Sequence, residues 1–188
     1  LKNLRDMSPV YSRVVQPGKI RRNQELVNKY LGGRFVVQDG PFSGMCYVQD
    51  ADHLVPHLLG SYESEIHDWV EDAIDRGYER VVNIGCAEGY YSVGMAMRCP
   101  EILVHSFDLS IRAQRQTVSM AMRNKVADRV TVGGRCSSQH LATLTGPQTL
   151  VICDIEGAEK FLLDPARTPQ LLETDMIIET HDHMRPET

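Results

Sequence analysis

Read by its apolar positions, the chain of 188 residues falls into a leading segment of about sixty residues and an alternating remainder. In the first, residues 24–31 read as a short helix closed by Gly32 and Gly33. Residues 34–37 and 45–48 read as two short strands around Asp39, Gly40 and Pro41, a hairpin or flap in which Phe42 is either a lid tip or a core anchor. Residues 63–76 set Ile66, Trp69, Val70, Ala73 and Ile74 on one helical stripe, with Ser61 as N-cap and Gly77 as stop. From residue 79 the pattern alternates. Strands are predicted at 80–84, 102–107, 129–132, 149–153 and 176–179, and helices at 90–98, at 110–124 with Ser110 as N-cap, and at 158–163 before Pro165. Near-continuous apolar strands separated by helices predict an α/β fold, its mostly parallel sheet covered on both faces.

Composition narrows the function classes. A net charge of −5 without a basic block disfavours a dedicated nucleic-acid binder, and the basic cluster Lys19, Arg21 and Arg22 reads as a solvated face. The five cysteines are odd in number and form no C-x-x-C pair, which argues against a disulfide framework or a thiolate zinc site. No apolar run reaches membrane-spanning length and no signal peptide opens the chain, so a reducing cytoplasm is the default expectation, with no membrane partner.

The sharpest chemical signal is Val81-Val82-Asn83-Ile84-Gly85-Cys86-Ala87-Glu88-Gly89-Tyr90-Tyr91. A strand runs into a glycine turn that opens a helix. Gly85 allows a sharp turn and leaves room for a ligand against the main chain, and Gly89 allows close packing at the helix start. One βαβ unit later the next strand ends in Asp108, where a carboxylate can accept both hydroxyls of a ribose. The dinucleotide pattern G-x-G-x-x-G is not met, because Ala87 and Tyr90 occupy its second and third glycine positions. Glu88 at the helix start would also repel a pyrophosphate. A cationic ligand tolerates Glu88.

Three segments carry a family resemblance: Asn83-Ile84-Gly85-Cys86-Ala87-Glu88-Gly89-Tyr90-Tyr91-Ser92, Asp154-Ile155-Glu156-Gly157-Ala158-Glu159, and Ile177-Ile178-Glu179-Thr180-His181. The arrangement resembles class I S-adenosylmethionine-dependent methyltransferases, and within them the FkbM-type branch. It implies a Rossmann-like domain over residues 61–188, incomplete at its C-terminal edge, behind an extension or lid over 1–60. The resemblance implies that the loop from Gly85 through Cys86, Ala87 and Glu88 to Gly89 takes the methionine part of the cofactor, with Asn83, Tyr90 and Tyr91 beside it. Asp108, followed by Leu109, would hold the ribose, and Gly134, Arg135 and Cys136 would lie near the adenine. Tyr62 or Glu63 would touch the methionine end. Asn83 stands where the family often has an acid, and the chain stops where the family usually adds a helix and an antiparallel strand pair.

Asp154, Glu156 and Glu159 crowd one strand tip, and Glu179, His181, Asp182 and His183 follow the next. His181 is the candidate base, Asp154 a group that positions substrate or the cofactor amino group, and Glu156 a further catalytic candidate. Glu159 is equally a helix-start charge. Asp154, His181, Asp182 and His183 could also bind a divalent ion such as Mg²⁺, Mn²⁺ or Zn²⁺. These readings converge on methyl transfer to a small molecule, on oxygen. The alternatives are a non-catalytic S-adenosylmethionine-binding regulatory or scaffold domain, and a nicotinamide oxidoreductase, which Glu88, Ala87 and Tyr90 disfavour.

Overall fold

The computed structural model describes residues 17–51 and 53–181. Three helices precede the sheet: α1 (Pro17–Tyr30), α2 (Leu54–Leu59) and α3 (His67–Arg76). The sheet holds β1 (Arg80–Ile84), β2 (Leu103–Phe107), β3 (Val130–Gly133), β4 (Thr149–Cys153) and β5 (Asp175–Ile178). Its order is β3-β2-β1-β4-β5, and every pairing is parallel. Helices α4 (Tyr90–Arg98), α5 (Ile111–Arg123), α6 (Ser138–Leu144) and α7 (Glu159–Leu162) connect the strands. This is the expected Rossmann-like α/β sheet. Among the described residues no helix is long and apolar enough to cross a membrane, and all five cysteines are free.

Period-two alternation on the central strands builds two cores. Val81, Leu150 and Ile152 join the larger one with Val93 and Met95 of α4. Val82, Ile84, Val151 and Cys153 face the opposite layer with Leu141 of α6. Burial on both faces explains why β1 and β4 read as unbroken apolar runs. Under α4 the polar Asn83 is satisfied internally: its amide donates to Ser92 Oγ at 2.9 Å, and Ser106 Oγ lies 2.8 Å from the same hydroxyl. Ser110 caps α5 as expected, its hydroxyl accepting the Ala113 N–H.

The leading segment departs from the sequence reading in three places. The predicted helix over 63–76 is split: Ser64–Ile66 forms a 3-10 turn and α3 starts at His67, with Ile66 rather than Ser61 at its N-cap. Only Val70 and Ala73 of α3 are buried, and Trp69 is 61% exposed, so the expected stripe is narrower than its spacing. Helix α2 was not expected because Pro56 lies inside it, but proline is tolerated in a first helical turn. Helix α6 escaped notice because its capping box uses His140 where Glu or Gln is usual. The two predicted strands meet at a single antiparallel bridge, Val36 to Cys46.

This hairpin is fixed to the sheet layer. Asn124, just after α5, exchanges two hydrogen bonds of 2.8 Å with the Cys46 backbone. Phe42 is buried against α4, where a Cβ on Gly94 would run into its ring. Phe42 packs edge-on to Tyr90 at 5.0 Å and to Tyr91 at 5.9 Å. A core anchor of this kind sets the expected cost of removal. Phe42→Ala should lower the unfolding free energy by about 3–5 kcal/mol, measured by denaturant titration. A loss below about 1 kcal/mol, the size expected for a loosely held surface residue, would remove the anchor role.

Candidate active site

The strand order reverses between β1 and β4, and in open α/β sheets such a switch point leaves a crevice outside the strand ends. Here the two tips interlock. The N–H groups of Gly85 and Cys86 donate to Phe107 O, and that of Asp154 donates to Ile84 O. Gly85 has φ +81°, and a Cβ on it would collide with the Asp154 carbonyl oxygen. The space beside Gly85 that the sequence reading gave to a ligand is therefore filled by the neighbouring strand's backbone. Gly89 meets its expectation: at φ +96° it packs closely on Thr117 of α5.

Between these glycines the turn is braced by Asp108 at the tip of β2. Its Oδ2 accepts the Ala87 N–H at 3.0 Å and its Oδ1 the Ser110 N–H at 2.8 Å. Burial pushes the Asp108 carboxyl above its ordinary range, against the pull of those two N–H groups. Ala87 itself holds φ +46°, an uncommon conformation for a residue with a side chain. Glu88 does not face an anion position at the helix start. Its carboxylate accepts the Tyr47 hydroxyl at 2.6 Å, and His57 Nε2 lies 4.0 Å away.

Two cavities flank this junction. One, of about 620 Å³, is bordered by Asp108, Leu109, Gly134, Arg135, Cys136 and Phe161 among others. The other, of about 640 Å³, is bordered by Tyr62, Glu63, Trp69, Glu88, Tyr90, Tyr91, Glu179 and His181 among others. Gly85, Asp154 and Glu156 border both, so the two are halves of one cleft. The candidate site residues Asn83, Gly85, Cys86, Ala87, Glu88, Tyr90, Tyr91, Asp108, Leu109, Asp154 and Glu156 border one half or the other, while Gly89 and Glu159 lie behind the surface. Asn83 borders the second half, while its buried amide is occupied by Ser92.

In the second half, His181 is ringed by carboxylates. Its Nε2 lies 3.4 Å from Glu179, 3.7 Å from Asp154 and 3.7 Å from Glu156, and its Nδ1 lies 3.5 Å from Glu159. Asp154, Glu156 and His181 each offer a ligand atom within 4.8 Å of the others, a spacing that could hold a divalent ion. Asp182 and His183, the other two metal candidates, lie outside the described residues. Glu159 is buried and accepts the N–H groups of Ile155 at 2.9 Å and Gly157 at 3.2 Å. Burial acts to raise its carboxyl, but the N–H donors outweigh this and hold it low. It secures the loop that carries Asp154 and Glu156.

Sequence reading missed one wall of this half. His57 on α2 is buried, stacked 3.8 Å from Tyr62 and 5.0 Å from Tyr47. Burial holds its imidazole below the ordinary value. The spacing of Leu54 and Leu58 was the available signal for the helix that carries it. Trp69, Glu65 and His53 reach the same cavity from positions that carry no motif.

Asp154 carries an electrostatic penalty. Burial, and then Glu179 opposite, push its carboxyl from 3.8 to about 6, partly offset by His181. The unfolded chain ionises first as pH rises, so stability should fall through the window between these two values and stay lower above it. Asp154→Asn should abolish that fall. Its melting temperature should exceed the parent's near neutral pH, and the two curves should converge in acid. Equal melting temperatures at neutral pH would show that the carboxylate is not under this strain.

The chain matches no family model and no curated protein. Solved structures similar to it include the O-methyltransferase TomG from Streptomyces achromogenes in complex with SAM, at 19% identity and TM-score 0.47, over 58% of this chain and 52% of that one. The O-methyltransferase from Bacillus cereus in complex with SAH has 16% identity and TM-score 0.48, over 62% and 56%. SAH-bound PaMTH1, a methyltransferase of Podospora anserina, has 18% identity and TM-score 0.46, over 84% and 56%. The match thus spans little more than half the length of each. These likenesses are loose, and the sheet order and turn geometry carry the fold assignment.

Proposed function

We propose that this chain is an S-adenosylmethionine-binding methyltransferase domain of the class I type, of the FkbM-type branch, acting on a hydroxyl of a small molecule. The observation that carries the reading is the β1–α4 turn braced by Asp108 beside a two-part cleft at the β1/β4 switch point. Asp108 and Leu109 would take the ribose, with Arg135 and Cys136 beside the base. Gly85 to Gly89, Glu63 and Asp154 would take the methionine end.

The residues present suit this ligand. Glu88 and Glu63 are tied to the hydroxyls of Tyr47 and Tyr91, so the turn is acidic and held. An acidic turn accepts a sulfonium and an ammonium group and repels a pyrophosphate. When bound, S-adenosylmethionine supplies a methyl group on a positively charged sulfur, which an acceptor oxygen can displace. His181 then serves to hold the acceptor hydroxyl and take its proton, and the carboxylates around it offset the charge it gains. His53 and His57 of the leading segment contribute part of the cavity wall, the role of a fixed cover.

Two measurements test the reading. S-adenosylhomocysteine should bind in calorimetry and NAD should not. Asp108→Ala should lose about 1.5–3 kcal/mol of that binding, the range for a hydrogen bond to a charged group. Unchanged affinity in a folded Asp108→Ala variant would remove the ribose assignment. Once an acceptor is in hand, His181→Ala should lower kcat by roughly 10²–10⁴-fold with little effect on S-adenosylhomocysteine affinity. Normal turnover of that variant would move the base elsewhere.

A further inference from the structure

The half of the cleft bordered by His181 has an unusual balance of charge. Among the described residues, six carboxylates border it, those of Glu63, Glu65, Glu88, Asp154, Glu156 and Glu179, with no lysine or arginine. The basic groups that border it among the described residues are the three imidazoles of His53, His57 and His181, and burial keeps that of His57 toward the neutral form. The rings of Tyr62, Trp69, Tyr90 and Tyr91 border the same space. Tyr90 is 5% exposed, and its buried hydroxyl has no hydrogen-bond partner among the described residues.

A bound S-adenosylmethionine carries two positive charges and one negative, which offsets a single carboxylate. Glu63 and Glu88 are engaged by tyrosine hydroxyls. The carboxylates of Glu156 and Glu179, 70% and 54% exposed, stand around His181 near Asp154. An anionic acceptor entering here would meet like charge at close range, while an organic cation would meet carboxylates and aromatic faces together. A metal ion would use the carboxylates but not the rings.

We propose that this cavity selects a positively charged organic acceptor, a small hydroxylated amine or quaternary ammonium compound, over an anionic one. The proposal rests on the methyltransferase reading for the word acceptor. The charge selectivity itself belongs to the cavity.

Trp69 is the only tryptophan of the chain and borders this cavity, so its fluorescence reports on the site. The experiment titrates the protein with choline, with glycolate and sodium chloride at matched ionic strength as controls. Choline should give a saturable change and glycolate none. Glu179→Gln should weaken the choline response about three- to tenfold, the size of one partly screened charge contact. No saturable response to choline, or an equal response to glycolate, overturns the proposal. A glycolate response that EDTA removes also overturns it, because the carboxylates would then be holding a divalent ion. S-adenosylhomocysteine binding is measured on the same sample. If it fails while choline discrimination persists, the methyltransferase reading falls and the cation selectivity stands.

Discussion

The fit of Gly85 against the Asp154 carbonyl is the constraint on which the rest of the site depends. Strands β1 and β4 are hydrogen-bonded neighbours whose following chains leave toward opposite edges of the sheet. Two backbones must therefore separate at one point, and they do so in contact. Only a residue without a Cβ, at positive φ, lets the Gly85 turn close over the Asp154 carbonyl. That closure sets the Ala87 N–H against Asp108 on one side and places Asp154 and Glu156 at the border of both cavities. The two halves of the cleft are registered to each other through backbone, which is stiffer than any side-chain contact that could do the same job.

Charge is the second organising quantity. The site concentrates carboxylates, and each is handled differently. Glu159 is satisfied by two backbone N–H groups, so its charge costs little and fixes a loop. Asp108 receives two N–H bonds but remains shifted upward by burial. Asp154 has neither of those N–H supports and faces Glu179, Glu156 and His181. The gradient runs from structural acid to strained acid within one edge of the sheet. Strain of this kind is characteristic of functional positions, since a folded protein gains nothing in stability from it.

The parts legible in the sequence were those whose signal is local. Strands β1 and β4 and helix α4 fall at the positions their apolar runs indicate, because burial on both sheet faces leaves little choice of residue. The glycine turn and Asp108 were legible because a sharp turn and a strand-tip acid need particular residue types. What escaped depends on contacts distant in sequence. Trp69 sits at helical spacing with the buried Val70 and Ala73, yet it lies on the exposed side of α3 and borders the cavity. His57 lies on a six-residue helix whose existence depends on packing against Tyr47 and Tyr62 rather than on its own propensity. The vacancy inferred beside Gly85 was misassigned because spacing shows that a Cβ is excluded but not which atom excludes it.

The leading segment illustrates how such distant contacts become chemistry. Phe42 is buried against Gly94 of α4, and Asn124 clamps Cys46 at the other end of the hairpin. These anchors hold Tyr47, whose hydroxyl reaches Glu88 and whose ring stacks on His57. Glu88 belongs to the glycine turn, so the segment and the turn share a part-buried hydrogen bond. A flap that opened to admit a ligand would have to break that bond and expose Phe42, Met45 and Tyr47 to water, at about 1.5–3 kcal/mol for each large apolar side chain. That cost makes opening of the whole segment rare. Among the described residues Trp69, Glu156 and Glu179 form the exposed rim of the cleft, and those are the side chains an entering ligand would meet first.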